Sequence, residues 1–272
     1  YCAHRDLHSF PTRRSSDLEQ ETKEAFELVG AAAELVHLKQ LTLSEDVDRT
    51  LWRKLDDYDV LALPGGFSAG DSVRAGAILA ARMKSKLSGD LVRFVEAGKG
   101  VIGICNGFQI LVELGLLPAF NGPMSEHPEA VLVSNEVAHF VCRPADLAVT
   151  SNTCKWTTRL PKDRPVVFPV AHAEGRFVLP PGREEELLER LLERDQVAFR
   201  YVKPDGAFAE GEYPFSPNGA LYDIAGITNP EGNVLGLMPH PERVVSPYTM
   251  PDWTREERQG DGLGIFASLA DW

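Results

Sequence analysis

The most constraining feature of this sequence is a cysteine between two glycines, at the junction of a strand and a helix. The run Gly103-Ile104-Cys105-Asn106-Gly107 follows the apolar pair Val101-Ile102 and precedes a helical apolar pattern that begins at Phe108. The glycines permit a sharp bend and the close approach of a second group. Cys105 is then expected at a helix N-terminus, where the dipole and free N–H groups stabilise a thiolate. The pattern predicts a nucleophile.

A candidate base for this thiol occurs much later in the sequence, in Pro239-His240-Pro241-Glu242. Residues two apart in an extended segment point to the same side. We therefore expect His240 to take the proton of Cys105 and Glu242 to orient the imidazole. Each residue taken alone is more often structural, as a buried thiol or a loop histidine. The combination of the two motifs favours catalysis.

Apolar strands alternate with helical patterns in the first half of the chain, which is typical of a parallel sheet with right-handed crossovers. After Pro118 the pattern changes to short strands separated by turns. The sequence thus predicts an α/β fold with a doubly wound, mostly parallel sheet flanked by helices, and a small antiparallel portion. The first-half segments are strands at 33–38, 59–63 and 100–104 and helices at 19–30, 72–84 and 88–97.

The first 18 residues differ from the rest. They are polar and basic, without strand or helix periodicity, and His8–Leu18 resembles a translated sequencing adapter. We interpret residues 1–18 as a foreign-looking or disordered segment and residues 19–272 as the functional domain.

Charge and composition exclude several classes of function. The net charge of −12 argues against nucleic acid or an anionic membrane as the main partner. No apolar run approaches the length of about 18 residues that a membrane helix requires. The four cysteines lack metal-site spacing, so no metal site is predicted, and no phosphate-binding loop for ATP occurs. A cytoplasmic enzyme is the expectation.

A second glycine-rich loop, Pro64-Gly65-Gly66-Phe67-Ser68, follows its own strand. Loops at the carboxyl ends of parallel strands meet at one edge of the sheet, where ligands bind. The N–H groups of Gly66 and Asn106 are therefore candidate donors to an oxyanion; alternatively, the glycines only form a turn. Gln109 lies one helical turn after Cys105, and either a pocket or a plain helix-surface position fits it.

His172 and Glu174 form a second histidine–carboxylate pair. This pair is an alternative source of the base. We prefer His240 because prolines on both sides make its segment rigid, and we expect His172 to line the pocket or to cap a loop.

These motifs together resemble those of class I glutamine amidotransferases. More narrowly, three runs are similar to the glutaminase subunit of phosphoribosylformylglycinamidine synthase, and Asn135, Phe140 and the adjoining Val-Cys-Arg resemble that subunit's substrate-loop region. The resemblance covers residues 19 to 272. The three runs are residues 70–78, 103–111 and 172–177.

The resemblance implies Cys105 as nucleophile, with His240 and Glu242 completing a triad. It further implies that glutamine is hydrolysed to glutamate and ammonia for the ATP-dependent conversion of formylglycinamide ribonucleotide to formylglycinamidine ribonucleotide in de novo purine biosynthesis. The implied partners are a large synthetase subunit, which binds ATP and Mg²⁺, and a small bridging subunit; no cofactor is expected in this chain. The implied oxyanion and substrate-binding residues are Gly65, Gly66, Phe67, Asn106, Gln109, Asn135, Phe140, His172 and Glu174.

The sequence departs from the family pattern at its start, and two other functions remain open. Family members begin with a hydrophobic strand and a Pro-Gly-Ser-Asn-like loop, whereas residues 1–18 are polar. We therefore expect a missing central strand and reduced stability. The alternatives are a stand-alone Cys-His hydrolase or peptidase of the related α/β class, and a catalytically idle regulatory module.

Overall fold

The computed structural model describes the backbone of residues 6–9 and all of residues 18–45, 47–66, 76–255 and 258–272. Helices and strands alternate in the first half of this part, and strands predominate in the second. The strands are β1 (Asp6–Ser9), β2 (Ala32–Leu35), β3 (Val60–Leu63), β4 (Gly100–Ile104), β5 (Val131–Ser134), β6 (Val141–Val149), β7 (Val166–His172), β8 (Glu174–Val178), β9 (Val197–Val202), β10 (Ile224–Thr228) and β11 (Val234–Leu237). The helices are α1 (Glu19–Leu28), α2 (Leu38–Leu41), α3 (Ala77–Glu96), α4 (Asn106–Leu114), α5 (Glu184–Glu193) and α6 (Leu263–Ala267).

One mixed sheet forms the centre of the molecule, in the order β2-β1-β3-β4-β11-β10-β9-β6-β7. The pairs from β2 to β11 are parallel, and those from β11 to β7 are antiparallel. Strands β5 and β8 form a separate antiparallel pair. The predicted α/β class is confirmed. The antiparallel part of the sheet is larger than expected. It extends the parallel part by four strands, β10, β9, β6 and β7.

Helices cover both faces of the sheet at β4. A Cβ added to Gly100 would lie 2.8 Å from the ring of Trp272, whereas a Cβ added to Gly103 would lie 2.6 Å from Leu111 of α4. Residues three apart in a strand point to opposite faces. On the Trp272 side, Phe26 of α1 packs edge-on against Phe266 of α6 at 4.8 Å between ring centroids. The core thus lies in two layers, one on each face.

One prediction about local structure is wrong, and one strand has no counterpart in the sequence-based predictions. The expected break between helices at 72–84 and 88–97 does not occur, because α3 runs unbroken through it and buries Leu87 and Leu91 on one face. The start of the first of these helices lies outside the described residues. Strand β10 was not anticipated either, although all five of its residues are buried.

The expectation that residues 1–18 supply no central strand is also wrong. The backbone of β1 runs parallel between its neighbours, paired over Asp6–Ser9 with Ala32–Leu35 of β2 and over His8–Ser9 with Leu61–Ala62 of β3. A β-ladder is formed by backbone N–H and C=O groups, so a polar sequence is able to complete it. The polar composition therefore did not exclude a strand here.

The antiparallel half of the sheet curls back toward the parallel half. Strand β7 is five places from β4 in the strand order, which corresponds to about 24 Å in a flat sheet at about 4.8 Å per strand. Yet the carbonyl oxygen of Ala171 on β7 lies 3.9 Å from Sγ of Cys105, the residue that follows β4. The curl brings an edge strand to the carboxyl end of a central one. No helix within the described ranges is long and apolar enough to cross a membrane.

Candidate active site

Cys105 occupies a strained turn between β4 and α4. Its φ of 51° and ψ of −106° are unusual for a residue with a side chain, and such backbone strain typically costs about 1–3 kcal/mol. The flanking glycines are needed sterically. A Cβ on Gly107 would lie 1.9 Å from the carbonyl oxygen of Leu63, and a Cβ on Gly103 would lie 2.5 Å from that of Gly107. The N-terminus of α4 therefore sits directly against β3, as the glycine pattern predicted.

His240 and Glu242 form a buried pair beside this turn. Nδ1 of His240 lies 2.7 Å from Oε1 of Glu242, and the two side chains are 1% and 0% exposed. Glu242 belongs to a single 3₁₀ turn at Pro241–Val244. The backbone N–H of His240 donates to the carbonyl oxygen of Pro169 on β7 at 2.8 Å. Glu242 thus orients the imidazole ring, and the hydrogen bond to Pro169 fixes the backbone of His240 against β7.

The charges around His240 favour its protonated form. Burial disfavours a charged imidazole, but the carboxylate of Glu242 and the thiolate of Cys105 outweigh it and raise the pKa of His240 to about 10. Nε2 of His240, the ring nitrogen turned away from Glu242, is buried and has no hydrogen-bond partner among the described side chains and backbone groups. The arrangement fits an imidazolium beside the Cys105 side chain.

The loop after β3 packs against the histidine. A Cβ on Gly65 would lie 2.7 Å from Cε1 of His240, so only glycine fits against the ring. Gly66 has φ 127°, which also favours glycine. The two glycine-rich loops predicted to meet at one sheet edge therefore both lie at the site. Phe67 falls outside the described residues.

Gln109 is buried, which excludes the helix-surface alternative. Its Oε1 accepts a hydrogen bond from the side chain of Asn106 at 2.9 Å, and its Nε2 donates to the carbonyl oxygen of Glu174 at 2.8 Å. Gln109 thereby ties α4 to the start of β8. Glu174 contributes its backbone to this contact.

His172 ends β7 and pairs with an asparagine. Its Nδ1 lies 3.0 Å from Oδ1 of Asn135, and burial, followed by the positive charge of His240, lowers the pKa of His172 to about 3. A neutral ring bonded to an amide does not form the histidine–carboxylate pair that the alternative base required. Phe140, five residues after Asn135, is 51% exposed. The hydrogen bond between Asn135 and His172 joins residues 37 positions apart, and no local sequence pattern predicts it.

No group of three or more His, Cys, Asp or Glu side chains suited to a metal ion occurs in the part of the chain that the structure describes.

Comparisons with known proteins agree with the motifs. The model of the CobB/CobQ-like glutamine amidotransferase domain matches residues 12–272. A phosphoribosylformylglycinamidine synthase subunit PurQ from Archaeoglobus fulgidus is 48% identical, covering 94% of this chain and 93% of that relative. The same subunit from Picrophilus torridus is 42% identical, covering 92% of each.

A solved structure extends the comparison to the fold. The PurLQS structure from Thermotoga maritima matches with a TM-score of 0.70 and 30% identity, covering 98% of this chain and 99% of that one. The resemblance inferred from the motifs is thereby confirmed. This chain belongs to the CobB/CobQ-like glutamine amidotransferases and, among them, to the family of phosphoribosylformylglycinamidine synthase subunits PurQ.

Proposed function

We propose that this chain is a glutaminase that supplies ammonia for formylglycinamidine ribonucleotide synthesis, with Cys105 as nucleophile, His240 as acid and base, and Glu242 as the group that orients His240. The observation that carries the assignment is the strained Cys105 turn beside the buried His240–Glu242 pair at 2.7 Å. Family membership supports glutamine as the substrate. An intact triad argues against an idle module.

In the first half-reaction, the thiolate of Cys105 attacks the side-chain carbonyl carbon of glutamine. A C–S bond forms, and negative charge moves to the carbonyl oxygen, where the N–H groups of Asn106 and Gly66 are the proposed donors. His240 donates its Nε2 proton to the nitrogen as the C–N bond breaks. Ammonia leaves and a glutamyl thioester remains on Cys105.

In the second half-reaction, His240 is neutral and accepts a proton from water. The hydroxide equivalent attacks the thioester, the C–S bond breaks, and glutamate and the thiolate are regenerated with the imidazolium. Glu242 stabilises that imidazolium in both halves, because it holds Nδ1 at 2.7 Å.

The partners complete the reaction. PurQ is named as a subunit in the relatives, and the Thermotoga maritima structure is named PurLQS. These names support a complex of this chain with other subunits. We propose that they are a large synthetase that binds ATP and Mg²⁺ and a small bridging subunit, and that ammonia passes to the synthetase.

Replacing the nucleophile tests this function in the reconstituted complex. Cys105→Ala removes the thiolate, so we expect glutamine-dependent product formation to be lost while ammonium-dependent formation remains. Glu185→Gln is the control, because Glu185 is exposed on α5 and belongs to none of the proposed site residues, so both activities should be unchanged. Product formation from each nitrogen source is the measurement. Loss of both activities in Cys105→Ala would make Cys105 structural, and retention of both would remove it from the mechanism.

A further inference from the structure

The hydrogen bonds of Asn135 fix the tautomer of His172. Nδ2 of Asn135 donates to the carbonyl oxygens of His172 at 2.9 Å and His139 at 3.1 Å. Carbonyl oxygens only accept, so this nitrogen is the NH₂ group and Oδ1 must be the atom that faces His172. Nδ1 of His172 is therefore the donor in its 3.0 Å contact with Oδ1. In a neutral imidazole, Nε2 is then an acceptor.

Nε2 of His172 is an orphaned acceptor. The side chain is 4% exposed, and Nε2 has no hydrogen-bond partner within the described part of the chain. The ring packs closely against Gly175 of β8, where a Cβ would lie 2.4 Å from its Cε1 and 2.8 Å from its Nε2. Buried polar atoms without a partner are rare and call for a ligand or water.

The orphaned acceptor belongs to the strand that contacts the reaction centre. The carbonyl oxygen of Ala171, one residue before His172, lies 3.9 Å from Sγ of Cys105. Pro169 on the same strand accepts the backbone N–H of His240. The positive charge of His240 also acts on the His172 ring, where it adds to burial in lowering the pKa of His172 to about 3. At neutral pH, His172 is thus neutral while His240 carries a proton.

We propose that Nε2 of His172 accepts an N–H of the glutamine carboxamide, and then of the ammonia formed from it. This inference rests on the proposed glutaminase function and adds an acceptor for the leaving nitrogen. The carboxamide offers two N–H donors and the attack on carbon uses neither. His172 gains and loses no proton in the cycle, because the proton that the nitrogen receives comes from His240. A neutral acceptor leaves the ammonia unprotonated, which is the form able to react as a nucleophile.

Two variants separate the acceptor from the structural hydrogen bond. In His172→Asn, the new amide nitrogen replaces Nδ1 as donor to Asn135, while the acceptor at the Nε2 position is removed. In His172→Gln, the longer side chain returns an amide oxygen near the former Nε2. Hydrolysis of glutamine is compared with that of glutamate γ-methyl ester, because the ester's leaving group has no N–H.

We expect His172→Asn to lower kcat/KM for glutamine roughly 10-fold, the effect of one lost hydrogen bond, and to leave the value for the ester within about twofold. His172→Gln should restore most of the loss. The ratio of the two rates within one preparation does not depend on how much of the protein is folded. Equal losses on both substrates, or no loss on glutamine, would overturn the proposal.

A second measurement does not depend on any His172 variant. In Cys105→Ala labelled with ¹⁵N, addition of glutamine should shift the His172 Nε2 resonance while the nitrogen stays unprotonated, and an unchanged resonance would overturn the proposal. Different results would reject the glutaminase function and the acceptor role of His172. Failure of the reconstituted complex of the original chain to hydrolyse glutamine would reject the glutaminase function itself, whereas Cys105-dependent hydrolysis with equal losses on both substrates in His172→Asn rejects only the acceptor.

Discussion

At the scale of single residues, Glu242 sets the pH range over which His240 keeps its proton. The pKa of His240 is raised to about 10, so the imidazolium should persist through neutral pH and be lost as the pH rises toward 10. The proposed mechanism needs this proton for the leaving ammonia. Glu242→Gln removes the negative charge that offsets the effect of burial, so the pKa of His240 falls. We therefore expect the alkaline limb of kcat/KM for glutamine to move to lower pH in this variant.

The control for that experiment is an exposed carboxylate outside the proposed site. Glu185 on α5 is exposed, so Glu185→Gln should leave the alkaline limb where it is in the original chain. If the alkaline limb of kcat/KM stays at the same pH in Glu242→Gln, deprotonation of His240 is not the cause of that limb.

The two histidines of the site should differ in the size of their effects. His240→Asn removes the acid and base, for which losses of roughly 10²–10⁴-fold in kcat are typical. His172→Asn removes one hydrogen bond and should cost far less. Steady-state glutamate release from the two variants gives the ranking, and the reverse order would assign the base to His172.

At the scale of elements, the packing of α4 on β3 depends on one glycine. In Gly107→Ala the new methyl group would lie 1.9 Å from the carbonyl oxygen of Leu63, so helix and strand must separate. Overpacking of this kind typically costs about 1–3 kcal/mol, and the shift also moves Cys105. We expect a lower free energy of unfolding, measured by denaturant titration, together with reduced glutamine hydrolysis.

Gly89 offers the matched comparison, because it also lies within a helix. Its added Cβ would meet only the Arg93 side chain, at 3.5 Å. Gly89→Ala should therefore stabilise the protein by up to about 1 kcal/mol through helix propensity. A Gly107→Ala variant as stable as Gly89→Ala would contradict the close approach of α4 and β3.

Elements with a local signature were predictable and those defined by distant contacts were not. The turn at Cys105 was predicted because glycine spacing and a change from strand to helix pattern are local. The polar strand β1 was missed because its ladder depends on neighbours at Ala32–Leu35 and Leu61–Ala62, not on its own side chains. The same holds within the site, where the buried Gln109 and the Asn135–His172 bond depend on contacts across 65 and 37 residues.

At the scale of the whole molecule, the sequence of β1 should limit stability. A strand between two parallel neighbours is normally apolar, since helices cover both faces. Strand propensities span about 1 kcal/mol per position, and 1 kcal/mol corresponds to about 2–4 °C in a domain of this size range. We therefore expect Asp6→Val combined with His8→Val to raise the Tm by several degrees, measured by circular dichroism.

A polar pair at the same positions controls for the loss of charge. Asp6→Asn with His8→Asn introduces residues of low strand propensity and should not raise the Tm. Coincident melts of the valine pair and the original chain would show that the sequence of β1 does not limit stability.

The curl of the sheet makes hydrogen exchange at the His240 amide a measure of local opening at the site. Cys105 and His240 adjoin β4 and β11, which are neighbours, but the acceptor of the His240 amide proton is Pro169 on β7, at the opposite edge. That amide is therefore protected from exchange with solvent deuterium only while the curl is closed. Its exchange rate reports how often the hydrogen bond between His240 and β7 opens.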